Sequence, residues 1–324
     1  MEIKIIFLAD SHLGFDFKLR PKKEIRRRGP DFFTNFDKII EYAKQVKADL
    51  IIHGGDLFYR TRVPEPIIDL VYERIFKVAN YGIPVVIVPG NHESSRLPVS
   101  LFMQHPNIFY FSKLQVFKFN LQGISLDIAG FPCVRDDIRN KFPEIVRELN
   151  KMHTQNNVKL LCMHQTVEGA VVGPSDYTFK FGKDVIPIKD IPSNYNAILS
   201  GHIHRSQVLW ANQIPVIYPG SIERTAFAEK DEKKGFYEIT FNQSADMKYQ
   251  FIELATRPMI DIELNKEIYD QNQVEKDILF QINDFPKDSI IRLKMKYPVN
   301  LPLLTAKLLD SIIPQTMNYQ VSGF

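Results

Sequence analysis

The strongest constraint on this chain is one pattern repeated five times: a short apolar run that stops at metal-ligating side chains. Ile3–Ala9 runs into Asp10-Ser11-His12, and Leu50–Ile52 into His53-Gly54-Gly55-Asp56. Val85–Val88 runs into Pro89-Gly90-Asn91-His92-Glu93, Leu160–Met163 into His164, and Ala197–Leu199 into Ser200-Gly201-His202-Ile203-His204. Runs of this length and apolarity read as strands buried on both faces. Open α/β sheets collect their ligands at the carboxyl ends of such strands. A single His at a strand end is usually structural, but five strand ends that all carry ligands are not explained by packing. The spacing of two in Asp10/His12 and in His202/His204 keeps each pair on one side of an extended backbone. Glycines at 54, 55, 90 and 201 permit the tight turns that strand ends need there.

Between the strands lie helical patterns. Phe33, Phe36, Ile39, Ile40, Ala43 and Val46 recur at helical spacing, as do the apolar residues of Ile67–Val78. Val216–Tyr218 is a sixth apolar run, and Leu114–Phe131 reads as a hairpin turning at Leu121-Gln122-Gly123. The alternation predicts an α/β domain over residues 1–221. After Gly220 the character changes. Gly235–Phe241, Tyr249–Leu254 and Ile290–Tyr297 read as strands, Gln271–Ile282 and Leu303–Ile313 as helices. They predict a small α+β module over Ile222–Phe324 that carries no evident catalytic residue.

Composition narrows the function classes. Over 324 residues, 44% are apolar and 24% charged, ordinary for a globular protein. No apolar run approaches the ~20 residues of a membrane span. The amino terminus reads as a strand from the start and not as a signal peptide. Cys133 and Cys162, the only cysteines, are expected to be free thiols in a reducing cytoplasm. The net charge of +3 conceals a basic run. Lys18, Arg20, Lys22, Lys23, Arg26, Arg27 and Arg28 face one acid, Glu24, so the remainder of the chain is net negative. Such a run is a candidate contact for a phosphate backbone, the alternative being a solvated loop.

Asp-x-His, Gly-Asp, Gly-Asn-His-Glu, an isolated His and Gly-His-x-His, in this order from Asp10 to His204, resemble the signature of calcineurin-like metallophosphoesterases. The wording Asp10-Ser11-His12-Leu13-Gly14, Gly55-Asp56-Leu57-Phe58 and His164-Gln165-Thr166 is most similar to the SbcD branch, whose members cut DNA in double-strand-break repair. The resemblance implies a four-layer α/β/β/α sandwich with a small C-terminal α+β capping domain. It implies two divalent metal ions, manganese first, with iron or zinc as alternatives. Asp10, His12 and His204 would hold one, Asn91, His164 and His202 the other, and Asp56 would bridge both. Oxygen and imidazole donors without thiolate suit those ions. Two such ions can clamp the attacking and leaving oxygens of a phosphoryl displacement, with a bridging hydroxide as nucleophile. His92 is then left without a metal and is expected to act as the general acid on the leaving alkoxide.

DNA is the expected substrate, through the basic run and the aromatic residues Phe15, Phe17, Phe58 and Tyr59 near the metal loops. Many relatives carry His where this chain has Tyr59, which cannot switch charge near neutral pH. The balance of exonuclease and endonuclease activity is therefore open. An SbcC-type, SMC-like ATPase is the partner the resemblance implies. The helices that bind it usually follow the capping domain, and this sequence ends at Phe324. A homodimer is also compatible with the sequence. Two other readings compete: a phosphodiesterase or phosphatase for nucleotides or other small esters, and a non-catalytic DNA-binding scaffold. The scaffold predicts gaps in the ligand set, and the eight key positions have none.

Overall fold

The computed structural model describes residues 2–17, 26–93, 105–153 and 158–323. Two compact units emerge. The larger comprises Met1–Phe15, Gly29–Glu223 and Glu232–Leu254, and the smaller Asp16–Arg28, Arg224–Asp231 and Ala255–Phe324.

Two six-stranded sheets form the larger unit. In the first, strands Glu2–Leu8, Leu50–His53, Val85–Ile87 and Ile108–Tyr110 lie parallel and adjacent in that order. Lys234–Asn242 pairs antiparallel with Glu2–Leu8, and Met247–Leu254 completes that edge. In the second, Ile214–Tyr218, Ala197–Gly201, Val158–His164 and Ile124–Gly130 run parallel. Gln207–Ala211 and Gln115–Leu121 cap its two edges antiparallel. The inner faces meet in one core that includes Ile5, Phe7, Ile52 and Val86 from the first sheet and Ile128, Leu160, Leu199 and Ile217 from the second. Each such side chain contributes roughly 1.5–3 kcal/mol by leaving water.

The outer faces are covered by helices. Gly29–Gln45 buries Phe32, Phe36, Ile39, Ile40 and Ala43, a single stripe at helical spacing, and Glu65–Asn80 buries Ile67, Val71, Ile75 and Val78. These stripes meet Leu8, Ile51, Val85 and Ile87 on the first sheet. On the second sheet, Ile138–Met152 buries Ile138, Phe142, Ile145 and Leu149 against Leu161, Met163 and Ile198. The expected α/β/β/α layering is present. The hairpin turns where expected: Gln122 and Gly123 have φ of 50° and 78°, the left-handed pair that a two-residue turn of matching twist requires.

The division of the chain differs from the expected break at 221/222. Lys234–Asn242 and Met247–Leu254 belong to the larger unit because Tyr237, Ile239 and Phe241 insert into the core between the sheets. The smaller unit is a three-stranded parallel sheet in the order Met259–Leu264, Ile290–Met295, Asn318–Gly323. Parallel neighbours need crossovers, and right-handed crossovers in a sequential sheet place both helices on one face. Val274, Ile278 and Ile282 of helix Gln271–Ile282 and Leu308 and Leu309 of helix Ala306–Ile312 accordingly share a core with Ile262, Ile291 and Leu293. Helix Gln271–Ile282 opens with a capping box between Asp270 and Gln273. The second helix starts at Ala306, later than the expected Leu303, because Pro298–Leu303 forms 3-10 turns and the Thr305 hydroxyl caps the Leu308 amide.

Candidate metal centre

The parallel strands of both sheets end on one side, and their ends carry all of the expected ligands. The loops after Leu8 and after His53 are zipped together by main-chain bonds. The Asp10 amide donates to the Gly55 carbonyl (2.9 Å), the His12 amide to Asp56 (3.0 Å) and the Leu13 amide to Leu57 (2.9 Å). This extended ladder fixes Asp10, His12 and Asp56 relative to one another before any side chain acts. The Asp10 carboxylate then accepts from the His202 amide (3.0 and 3.2 Å), which ties the second sheet to the first. Asp56 Oδ1 accepts from the His92 amide at 2.9 Å.

The backbone at these positions is strained. Asp10 (φ 50°), His12 (φ 44°), Asp56 (φ 52°) and His202 (φ 85°) all occupy the left-handed region. Each costs on the order of 1–3 kcal/mol for a residue with a side chain, least for Asp. Four expected ligands in that region mark a site where geometry has been kept against local preference. Gly90 shows the same crowding from the other side, since a Cβ there would collide with the Asp56 amide and carboxylate.

Three groups of donors lie close enough to share a cation: Asp10, His12 and His204; His12, Asp56 and His92; and Asp10, Asp56 and His164, each with its ligand atoms within 4.8 Å of one another. Asn91 Oδ1 adds a further focus, 3.0 Å from His164 Nε2 and 3.1 Å from His202 Nδ1. Asp56 Oδ2 is 3.5 Å from His164 Nε2. The expected first set, the expected second set and the bridging Asp56 are thus brought together.

Electrostatics and hydrogen bonding fit divalent cations. Burial pushes the Asp10 carboxyl up to about 6, with the nearby imidazoles opposing. Burial, joined by His204, holds His12 well below its ordinary value, and burial with His164 lowers His202 to about 4. Neutral imidazoles keep the lone pairs that a metal needs. Burial alone would lower His164, yet the Asp56 carboxylate lifts it to about 9, so this position attracts positive charge. His164 Nδ1–H donates to the Gly54 carbonyl at 2.9 Å, which leaves Nε2 facing the site. His12 Nε2 stands 2.9 Å from His204 Nε2, and buried His12 Nδ1 has no hydrogen-bond partner among the described residues. Two imidazole nitrogens pointed at each other among acids are the donor arrangement of a cation site.

His53 supports the site from beside the ligands. Its Nδ1 accepts from the Gly55 amide (3.2 Å), which leaves Nε2–H to donate to Ser11 Oγ at 2.8 Å, between two ligands. Burial lowers its pKa to about 3, consistent with a neutral ring. Glu93 was not singled out by the sequence reading. It is 5% exposed, and its carboxylate accepts from the amides of Asp56 (3.0 Å), Phe58 (2.8 Å) and Gly90 (2.7 Å). Burial and the Asp56 charge push it up to about 8 while the Phe58 and Gly90 amides pull it down. Its signal was its place as the acid of Gly-Asn-His-Glu.

His92 Nδ1 contacts the Tyr59 carbonyl, and its Nε2 lies 3.7 Å from Asp56 Oδ2. Tyr59 is half-buried beside it, with ring centroids 6.2 Å apart, and Phe15 stacks on Phe32 at 4.6 Å. Phe58 is fully buried and cannot stack on a base, which corrects that part of the expectation. Of the basic run, Lys18, Arg20, Lys22 and Lys23 lie outside the described residues. Arg26 donates to the carbonyls of Pro314, Met317 and Ile313, Arg27 pairs with Asp16 at 2.7 Å, and buried Arg28 donates to the Arg224 carbonyl. These three guanidiniums hold the segment onto its own unit. Cys162 is buried in the core and both cysteines are free. His105 bonds Asn80, and His153 bonds the buried Asp127 and Tyr195, all away from the metal loops. Among the described residues, no helix is long and apolar enough to cross a membrane.

A family model described as calcineurin-like phosphoesterase matches residues 3–206. The chain is similar to a DNA double-strand break repair protein Mre11 from Archaeoglobus fulgidus, 26% identical over 91% of this chain and 68% of that protein. It is also similar to a DNA double-strand break repair protein Mre11 from Methanococcus maripaludis, 25% identical over 85% of this chain and 73% of that protein. Among solved structures, GAP50, the anchor in the inner membrane complex of Plasmodium, aligns with a TM-score of 0.51 at 12% identity. That alignment covers 78% of this chain and 84% of GAP50, a likeness of fold alone.

Proposed function

The chain belongs to the calcineurin-like phosphoesterase family, a family of metal-dependent hydrolases, and from that premise we propose that it is a nuclease cleaving phosphodiester bonds of DNA in repair. The observation that carries the reading is the position of Asp56, within reach of His12 on one side and His164 on the other. In this reading Asp10, His12 and His204 hold one divalent ion, Asn91, His164 and His202 a second, and Asp56 both. Manganese is the ion we assign first, with iron or zinc as the alternatives, because oxygen and imidazole donors suit all three. When bound, the ions supply Lewis-acid charge that activates water and neutralises phosphate oxygens.

The chain's own residues do the rest. His92 Nδ1–H donates to the Tyr59 carbonyl, which turns Nε2 toward the ligand cluster. Protonated there, it delivers its proton to the departing alkoxide oxygen, a step typically worth ~10²–10⁴-fold. His92→Asn is expected to keep metal binding and lose turnover by about that factor. The DNA assignment is supported by the two repair proteins and by the cations Lys18, Arg20, Lys22 and Lys23, proposed to meet the phosphate backbone. An SMC-like ATPase partner and a cytoplasmic location belong to the same reading.

The deciding experiment is manganese-dependent digestion of end-labelled duplex and hairpin DNA by wild type and Asp56→Asn. Cleavage by the wild type alone is the expected result. Hydrolysis of small aryl phosphate esters with every DNA substrate left intact would favour a small-molecule phosphodiesterase instead.

A further inference from the structure

At the ligand cluster opens a cavity of about 580 Å³, lined in part by Asn91, His92, His164 and His202. Clefts of ~300–1,000 Å³ enclose a ligand of drug size. A single nucleotide is of that order. Tyr59 and Val134 give the wall an aromatic and an apolar surface, and Arg60 and Arg135 bring two guanidiniums to the same cavity.

Not every arginine of the unit is free of a carboxylate. Arg74 and Arg205 are each paired with a carboxylate. Among the described residues neither Arg60 nor Arg135 makes an ion pair, although Asp184 lines the cavity too. Arg60 lies over the Tyr59 ring, its guanidinium carbon 5.6 Å from the centroid. Arg135 is exposed and donates through one terminal nitrogen to the Asn91 carbonyl. Its other donors are aimed at no acceptor among the described residues. Delocalised guanidinium donors without a carboxylate, at the rim of a phosphoester site, match phosphate oxygens in charge and geometry.

We propose that the cavity takes one unpaired nucleotide of a polynucleotide strand and that Arg60 and Arg135 bind the backbone phosphates flanking the bond to be cut. This rests on the nucleic-acid reading above. A base turned out of its stack lies against Tyr59, while the two arginines hold the strand on either side by charge. Arg135 also couples strand binding to the Asn91 loop, because the same guanidinium touches both.

The test is equilibrium binding of a fluorescent oligothymidylate, read by anisotropy in EDTA over a series of salt concentrations. Each phosphate contact adds about 0.7 to the slope of log affinity against log salt for a single strand. Arg60→Ala and Arg135→Ala are each expected to shrink the slope by about 0.7, and the double variant by about 1.4. Arg135→Lys keeps the charge and should keep the wild-type slope. A drop shared by Arg135→Lys would trace to the lost bond to Asn91 and overturn the phosphate assignment. On a covalently closed, relaxed circular duplex, which has neither a free end nor an unpaired loop, the wild-type and double-variant slopes should coincide, and a difference there overturns the assignment to an unpaired strand. An unchanged double variant beside a normal wild type overturns the inference alone. Wild-type protein with no salt-dependent binding overturns the nucleic-acid reading beneath it.

Discussion

Glu93→Ala is the perturbation that most sharply separates a ligand from a residue that holds ligands in place. Among the described residues the Glu93 carboxylate makes no hydrogen bond to an expected ligand side chain. Instead it gathers three buried amides, those of Asp56, Phe58 and Gly90, at 2.7–3.0 Å. Two of them belong to the Gly-Asp loop after one strand and the third to the loop after the next. Leaving a buried donor unsatisfied costs about 1–3 kcal/mol. Three would approach ~3–9 kcal/mol if independent, but they share one acceptor and water can enter, so about 3 kcal/mol is the expectation. Against a typical total of ~5–15 kcal/mol the fold survives. Glu93→Gln keeps one acceptor oxygen and should cost about 1–3 kcal/mol. With the two loops released, Asp56 and Asn91 lose their mutual position, and manganese affinity should fall by about 10–100-fold, the usual effect of removing a residue that orients ligands. Urea unfolding followed by circular dichroism reads the first effect, and titration calorimetry with manganese the second. Wild-type stability together with wild-type metal affinity in Glu93→Ala would refute this account of the loops.

Three further outcomes follow from the same geometry. Gly90→Ala should impair manganese binding more than it impairs folding, because its methyl group meets the Asp56 carboxylate; calorimetry showing wild-type affinity would contradict this. Gly123→Ala, at φ 78° with open space around it, should destabilise by about 1 kcal/mol through backbone strain alone and leave phosphoesterase activity untouched. In the smaller unit, burial would raise the Asp261 carboxyl, but Arg292, Lys294 and Lys230 outweigh it and hold the pKa well below the ordinary range. A pKa depressed in the folded state gives stability that is present above the unfolded value of ~3.9 and lost as pH falls through and below it. Asp261→Asn should therefore flatten the acid limb of a urea-midpoint-versus-pH profile, and an unaltered acid limb would remove the role assigned to this cluster.

The fold was legible where periodicity and burial agree. Apolar runs such as Ile3–Ala9 are buried on both faces, so they carry their own signature, and the stripe of helix Gly29–Gln45 does the same at a period of 3.6. Helix Ile138–Met152 was not delimited, although Ile138, Phe142, Ile145 and Leu149 recur at helical spacing, because Pro143 reads as a break; the structure carries Pro143 within the helix, whose stripe packs on the second sheet. The strand Lys234–Asn242 was recognised as a strand but placed in the wrong unit, since only its antiparallel register with Glu2–Leu8, a contact across the whole chain, reveals where it pairs. At the site, Asp10, His12, Asp56, Asn91, His164, His202 and His204 were legible because ligand residue types recur at strand ends. Arg60 and Arg135 were not, because their place on a cavity wall is encoded by no local pattern, and Glu93 carried only its position in Gly-Asn-His-Glu, since its role runs through main-chain amides that meet only in the fold. The basic run shows the opposite error: Arg26 and Arg28 read as exposed charge but serve as donors to carbonyls within the smaller unit.

Anomalous diffraction from crystals grown with manganese addresses the centre of the account most directly. Two peaks are predicted, one in coordination range of Asp10, His12 and His204, the other of Asn91, His164 and His202, with a carboxylate oxygen of Asp56 bound to each. A single peak that leaves Asp56 unbound, or density for manganese only at other parts of the surface, would contradict it.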